Sequence, residues 1–199
     1  EEDFVDVSHL SGPLDDYTPI VEGGRTYYYN TEDLETLTYY INLFQPENNS
    51  FKYSANHNFT WKWEANTSTQ GGYDLTELIF DQSGITDNQL IYIINLSRLK
   101  VLNIIDENNI TTLPYILSES LPLLERLFIR NSNDLEIIPD LPQSLIHLEI
   151  DHCLDLTSIT PSPFTLPLLK HLALISLDIS YDFTDWTSNE INLPKLQYL

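Results

Sequence analysis

A recurring leucine pattern constrains the fold of this chain more than any other feature of its sequence. Each copy reads Leu-x-x-Leu-x-(aliphatic or aromatic), and the middle leucines of successive copies lie 21 to 27 residues apart. A period of this length is typical of a repeat protein. Five complete copies and the start of a sixth have their apolar residues at Leu75/Leu78/Phe80, Leu99/Leu102/Ile104, Leu124/Leu127/Ile129, Leu145/Leu148/Ile150, Leu169/Leu172/Leu174 and Leu196/Leu199.

The spacing within each copy predicts how the copies pack. Positions 1, 4 and 6 cannot share one face of an isolated helix or strand, but they all point inward when short strands bend into stacked coils. Between strands, the segment after Thr86 has helical spacing, with Thr86 or Asp87 as the N-cap. Pro139 and Pro142 instead require extended backbone. We therefore predict an α/β solenoid with parallel strands on its concave face, mixed helix and coil on its convex face, and an atypical N-terminal cap.

Longer stretches of the repeats resemble known families. The run Leu121-Pro-Leu-Leu-Glu-Arg-Leu127 and the run from Ile138 to Cys153 are similar to repeats of plant nucleotide-binding leucine-rich-repeat immune receptors. The second run also resembles bacterial secreted leucine-rich-repeat ubiquitin ligases, and Ile85-Thr-Asp-Asn-Gln-Leu resembles repeats of F-box-type adaptors. The chain is thus identified as a member of the leucine-rich-repeat superfamily, with its subfamily open. The nucleotide-binding, F-box and ligase motifs are not in the sequence, so those activities are not implied.

The beginning of the chain is strongly acidic. Residues 1–35 hold ten acidic side chains against one basic side chain, Arg25, a composition that predicts a solvated N-terminal arm. Within and just after this arm, Leu34, Leu37 and Tyr39 match the leucine pattern and suggest a further, degenerate copy.

A capping region is predicted between the arm and the repeats, at residues 36–74. Phe59, Trp61 and Trp63 alternate there with polar residues, as in a half-buried strand. A cap of this kind would cover the open end of the first repeat. The leucine-rich repeats themselves are assigned to residues 75–199.

Charge and composition exclude several classes of function. Thirty Asp and Glu residues against nine Lys and Arg residues give a net charge of -21, which disfavours binding to nucleic acid or to an anionic membrane. No apolar run reaches the roughly 20 residues of a membrane-spanning helix, so membrane insertion is not expected. Because the sixth copy of the pattern breaks off at Leu199, we expect further repeats or a capping element beyond that residue.

The residues between the apolar positions of each predicted strand point to a binding surface. They project from one face and align in columns across neighbouring strands, the first of which runs from Glu77 to Tyr198. Repeat proteins commonly bind their partners at such columns. An Arg-aromatic-Arg group of the kind found at interface hot spots stands out in these columns. Alternatively, its arginines only neutralise the neighbouring carboxylates. The predicted partner-binding residues are Arg126, Phe128, Arg130, Asn103, Ile105, Glu149, Asp151, His147 and His171.

Catalytic, metal and cofactor chemistry is not predicted. His147, His171, His152 and Cys153 do not have the spacing of a zinc site. The sequence from Cys153 to Asp155 matches the Cys-x-Asp motif of the bacterial ligases, but at this repeat position the thiol is expected to be buried and inert. No nucleophile-base arrangement or phosphate-binding loop occurs in the sequence, so we predict no enzyme, no catalytic residue, no metal and no cofactor.

These features predict a non-enzymatic module that recognises a protein partner, and the net charge favours a partner with a basic surface. Two alternatives remain: a secreted or cell-surface glycosylated binding protein, and a structural subunit of a larger assembly. Three Asn-x-Ser/Thr sequons in the capping region, at Asn48, Asn58 and Asn66, are candidate N-glycosylation sites. The sequence leaves the compartment open between intracellular (cytoplasmic or nuclear) and secreted or cell surface.

Overall fold

The described part of the chain forms ten strands, three short or medium α-helices and one 3₁₀ helix. The structure is a computed structural model that describes residues 16–22, 24–48, 50–52, 54, 56–66, 72–159, 166–177, 194–195 and 197. The strands are β1 (Tyr17–Glu22), β2 (Arg25–Asn30), β3 (Phe59–Ala65), β4 (Gly72–Asp81), β5 (Val101–Ile105), β6 (Arg126–Arg130), β7 (Ile137–Ile138), β8 (His147–Asp151), β9 (Ser158–Ile159) and β10 (His171–Ile175). The helices are α1 (Thr31–Phe44), α2 (Asp87–Leu90), the 3₁₀ helix (Ile91–Asn95) and α3 (Leu117–Ser120).

Eight of these strands form one mixed sheet, and this finding contradicts the predicted α/β solenoid. The strand order is β1-β2-β4-β5-β6-β8-β10, with β3 paired to β4 off this path, while β7 and β9 form a separate small sheet. The pairs β1-β2 and β3-β4 are antiparallel, and the other pairs of the large sheet are parallel. The solenoid prediction was wrong because the leucine pattern describes five strands and carries no information on the three that precede them in the same sheet.

The five strands that carry the leucine pattern lie side by side in parallel. Their middle leucines are lateral neighbours, from Leu78 in β4 through Leu102, Leu127 and Leu148 to Leu172 in β10. All five are buried on one face of the sheet, at most 4% exposed. The same hydrogen-bonding pattern continues past β10. The amide of Lys170 donates to the carbonyl of Ile146 at 2.8 Å, and the amide of Gln197 donates in the same way to the carbonyl of Lys170 at 2.8 Å.

Each of these strands is followed directly by a residue with left-handed backbone, where the chain turns away from the sheet. These residues are not glycines, although their φ angles are between 49° and 53°. Such a backbone is uncommon outside glycine, so the turn must be held by its surroundings. Four of the five amides donate to the carbonyl of the last residue in the next strand, at 2.9 to 3.0 Å. The five residues are Gln82, Asp106, Asn131, His152 and Ser176.

The residue that follows the left-handed position is buried in three of the five turns, at Glu107, Ser132 and Cys153. Glu107 is buried, and its carboxylate accepts hydrogen bonds from the amide of Ser83 (2.6 Å), the hydroxyl of Ser83 (2.7 Å) and the amide of Gly84 (2.9 Å). Cys153 occupies the equivalent position after β8 and is fully buried, as predicted. Burial raises the pKa of its thiol to about 11, which keeps it protonated and unreactive at neutral pH.

The region before the repeats is folded onto the same sheet. Trp61 and Trp63 lie in β3, in agreement with the predicted half-buried strand, whereas Leu34, Leu37 and Tyr39 lie in helix α1. The suggested degenerate copy is therefore wrong, because leucines three residues apart suit a helix as well as a repeat strand. Helix α1 also crosses the boundary placed between the arm and the capping region. The first of the predicted connecting helices is present as α2, with Thr86 as its N-cap.

Candidate interaction surface

The face of the sheet opposite the leucine core carries the predicted binding residues. We call the fifteen alternate side chains of β4, β5, β6, β8 and β10 on that side the open face. Strand pairing aligns them in three rows, in the order predicted from the sequence. Tyr198, predicted at the end of the first row, lies outside the described residues. The rows are Glu77-Val101-Arg126-His147-His171, Ile79-Asn103-Phe128-Glu149-Ala173 and Asp81-Ile105-Arg130-Asp151-Ile175.

Burial separates the open face from the core face of the same strands. In β6, Leu127 and Ile129 are fully buried, whereas Phe128 and Arg130 are half-buried and Arg126 is exposed. The same alternation occurs in β8. The open face therefore presents its side chains to solvent, with Val101 as a buried exception. All nine predicted partner-binding residues lie on this face, and Asn103 and Ile105 contribute from the neighbouring strand β5.

The two arginines of the Arg-aromatic-Arg group have different environments. Arg130 donates from Nε to Oε1 of Glu149 at 2.5 Å, and its guanidinium lies 5.4 Å from the centre of the Phe128 ring. The hydrogen bond to Arg130 lowers the pKa of Glu149, and the same bond raises the pKa of Arg130. Arg126 makes no ion pair with any described residue. The neutralising role considered for both arginines thus applies to Arg130, while the Arg126 guanidinium is available to a partner.

Three rings line the middle of the open face beside Arg126. The rings of Phe128 and His147 have centroids 4.7 Å apart, and those of His147 and His171 are 5.1 Å apart with an angle of 16° between their planes. Burial lowers the pKa of His147, and the neighbouring His171 lowers it further. Glu149, whose Oε2 lies 3.7 Å from Nε2, opposes this effect. His147 is therefore mainly neutral at pH 7 and presents a flat, partly apolar ring.

Other groups that the sequence singled out do not assemble into a reactive site. Within the described residues, no three His, Cys, Asp or Glu side chains are placed to hold a metal ion. His152 is exposed and pairs with Asp151 through Nδ1 at 2.5 Å, while Cys153 is buried below it. No helix among the residues that the structure describes is long and apolar enough to cross a membrane.

The three candidate glycosylation sites differ in how far their side chains are engaged. Asn58 is exposed, and its Nδ2 donates to the carbonyl of Gln82 at 3.1 Å. Nδ2 of Asn66 donates to Asp74 (2.6 Å) and to the Tyr17 hydroxyl (2.9 Å). Nδ2 of Asn48 donates to Oε1 of Gln45 at 3.1 Å. Of the three, Asn58 could carry a glycan with the least rearrangement of buried polar groups.

Four exposed apolar side chains outside the strands, called here the apolar patch, were not predicted from the sequence. Tyr115 is 68% exposed, and Ile91, Tyr92 and Ile116 are each between 44% and 48% exposed. The Tyr92 ring packs against Tyr39 of α1, with centroids 4.3 Å apart. Helical spacing in the segment after Thr86 indicated which residues pack inward, and the same spacing could have indicated this exposed side.

Comparisons of the chain with protein-family models, curated proteins and solved structures found no match. Membership in the leucine-rich-repeat superfamily, the binding role of the nine residues and the prediction that the chain is not an enzyme therefore stay predictions.

Proposed function

We propose that this chain is a protein-recognition module that binds a protein partner through the open face, around Arg126, Phe128 and Arg130. The observation that carries the proposal is an exposed arginine, Arg126, that makes no ion pair with a described residue and lies beside a half-buried aromatic ring, at the centre of five laterally aligned strands. Arginine and aromatic side chains dominate the binding energy of protein interfaces. The leucine pattern supports the proposal, because repeat proteins use such extended surfaces for recognition.

The net charge of -21 bears on how a partner approaches. Charge complementarity raises association rates at low ionic strength and has a smaller effect on affinity. A partner with an overall basic surface would therefore meet this chain faster than an acidic one. Added salt should slow the association more than it accelerates the dissociation.

Site-specific photo-crosslinking identifies the partner and the surface together. We expect p-benzoylphenylalanine at position 128 to capture one partner in an extract of the source organism. The matched control carries the same group at position 115, on the exposed apolar patch away from the open face. Capture from position 115 in place of position 128 would assign recognition to the apolar patch and contradict the proposal.

The purified partner then allows a quantitative prediction. Replacing Arg126, Phe128 and Arg130 together with alanine should weaken binding in calorimetry by at least about a hundredfold, because truncated hot-spot side chains each cost more than about 1 kcal/mol. Arg126→Ala alone should weaken binding more than Arg130→Ala, since Arg130 is already held by Glu149. Arg25→Ala, a change of an exposed arginine in β2, is the matched control and should leave binding unchanged. Unchanged affinity in the triple variant would remove the open face from the proposal.

A further inference from the structure

The first row of the open face carries one arginine and two imidazoles on adjacent strands. Arg126 of β6, His147 of β8 and His171 of β10 are lateral neighbours in the sheet. We propose that this row anchors an acidic segment of the partner, whose carboxylates contact Arg126 and the two imidazoles. The inference rests on the proposed function and names the chemistry of the segment that the open face receives.

Spacing along the row suits an extended acidic peptide. Neighbouring strands lie about 4.8 Å apart, so that three positions span about 10 Å. Side chains on one side of an extended peptide recur about every 7 Å. Two carboxylates at alternate positions of a segment that crosses the strands can therefore reach Arg126 at one end of the row and His171 at the other.

The charges around the row favour an acidic occupant. Glu149 lies 3.7 Å from His147, but its other oxygen is held by Arg130 at 2.5 Å. The acid in the same row, Glu77, is separated from Arg126 by the strand that carries Val101. An added carboxylate would give Arg126 the bidentate partner that a guanidinium prefers.

The net charge of the chain does not prevent this contact. At physiological ionic strength, charges separated by more than about 8 Å are largely screened, so the side chains at the row decide the local interaction. The acids of the third row, Asp81 and Asp151, lie at the other ends of their strands, four residues from the first row. The two ends of the strands thus differ, because the first row presents Arg126 and two imidazoles and the third row presents Asp81 and Asp151 together with Arg130. The open face can therefore orient a segment of mixed charge.

Carboxylate binding at this row is coupled to protonation of His147. Protonation of His147 is disfavoured in the free chain, by burial first and then by His171 and Arg126. A bound carboxylate supplies the opposite charge and raises the pKa of the imidazoles that it contacts. By linkage, affinity for the acidic segment should rise as the pH falls from 7.5 to 5.5, a range in which Glu carboxylates stay ionised.

Short peptides test this inference without the natural partner. The probe is fluorescein-labelled Glu-Gly-Glu-Gly-Glu amide, and the controls are the Gln-Gly-Gln-Gly-Gln and Lys-Gly-Lys-Gly-Lys amides. Fluorescence anisotropy should show binding of the Glu peptide alone, at least about fivefold tighter at pH 5.5 than at pH 7.5. R126Q should weaken this binding about tenfold at both pH values, whereas the double variant H147Q/H171Q should abolish its pH dependence.

Further outcomes distinguish this inference from the proposed function. R25Q, which removes an exposed arginine from β2, should bind the Glu peptide like the wild type. Binding of the Lys peptide in preference to the Glu peptide, or pH dependence that survives in H147Q/H171Q, would overturn the inference. If the crosslinked partner still requires Arg126, Phe128 and Arg130 in either case, the proposed function stands and only the acidic chemistry of the segment is wrong. If the Glu peptide binds as expected and position 128 captures no protein, the row is an anion site without a protein partner.

Discussion

Replacing Phe80 with alanine should lower the free energy of unfolding by about 4 kcal/mol, the range for truncation of a buried aromatic ring. Phe80 is fully buried in β4, and its ring centroid lies 5.2 Å from those of Tyr40 and Phe59 and 6.1 Å from that of Phe44. These rings belong to α1, β3 and the segment of β4 that begins the repeats. The substitution would therefore leave a cavity where the region before the repeats joins the sheet. Urea unfolding followed by tryptophan fluorescence measures the loss.

Phe128→Ala is the matched control, because it makes the same chemical change on the open face. The Phe128 side chain is half-buried, so its removal should cost about 1 kcal/mol and leave no enclosed cavity. Partner binding should respond in the opposite order, with a large loss for Phe128→Ala and a small one for Phe80→Ala in the folded protein. Equal losses of stability in the two variants would contradict the assignment of the two faces.

The leucine pattern alone predicted the strands of the repeats and their lateral register. The apolar residues at positions 4 and 6 of each copy, such as Leu127 and Ile129, lie two residues apart and must point to the same side of a strand. The intervening residue, Phe128, then faces the other way. Because this alternation recurs in five strands, the positions of the core residues also determine which residues align in the rows of the open face. The rows could therefore be predicted from the sequence alone.

The fold of the first third could not be predicted from the same pattern. Leu34 and Leu37 suit a helix, and the capping signal that favours one is the side chain of Asn30, whose Oδ1 accepts from the amide of Asp33 at 3.1 Å. Strand β3 was predicted from its alternation, but alternation does not indicate which strand it pairs with or in which direction. The pairing of β3 depends on long-range contacts, and its antiparallel direction makes the large sheet mixed at this point.

The contacts within the candidate site could be predicted only in part. Strand register places Asp151 directly opposite Arg130, yet the shortest contact of Arg130 is the diagonal one to Glu149, at 2.5 Å. A guanidinium on a long side chain can reach either neighbour, and the choice depends on the nearby Phe128 ring, over which the group lies at 5.4 Å. No pattern in the sequence specifies this choice.

A buried carboxylate that joins α1 to β4 leads to a prediction about pH. Asp33 is fully buried, and its Oδ2 accepts a hydrogen bond from the amide of Leu75 at 2.8 Å. Leu75 lies on β4 between Tyr73, which pairs with β2, and Glu77, which pairs with β5. Asp33 thus accepts a hydrogen bond from a β4 amide that lies between the part of β4 paired with β2 and the part paired with β5. Its other oxygen, Oδ1, has no hydrogen-bond partner among the described residues.

Burial, together with the nearby carboxylate of Asp74, raises the pKa of Asp33 to about 7, from 3.8 in an unfolded chain. Between these values the folded state keeps the proton and the unfolded state releases it, so stability falls as the pH rises and is constant above about pH 7. From pH 5 to pH 8 the expected loss from this group is about 3 kcal/mol, since one pKa unit corresponds to about 1.4 kcal/mol. Asp33→Asn keeps an acceptor for the Leu75 amide and removes the titration.

Urea unfolding of the wild type and of Asp33→Asn at pH 5 and pH 8 isolates this contribution. Repulsion among the other acidic groups also weakens the fold as the pH rises, but it acts almost equally on both proteins. Stability should therefore fall by about 3 kcal/mol more in the wild type than in Asp33→Asn. Glu35→Gln, which removes an exposed carboxylate from the same helix, is the matched control and should follow the wild type. If Asp33→Asn loses as much stability between pH 5 and pH 8 as the wild type does, Asp33 is ionised in the folded state and the carboxylate must be held by a hydrogen bond to Oδ1.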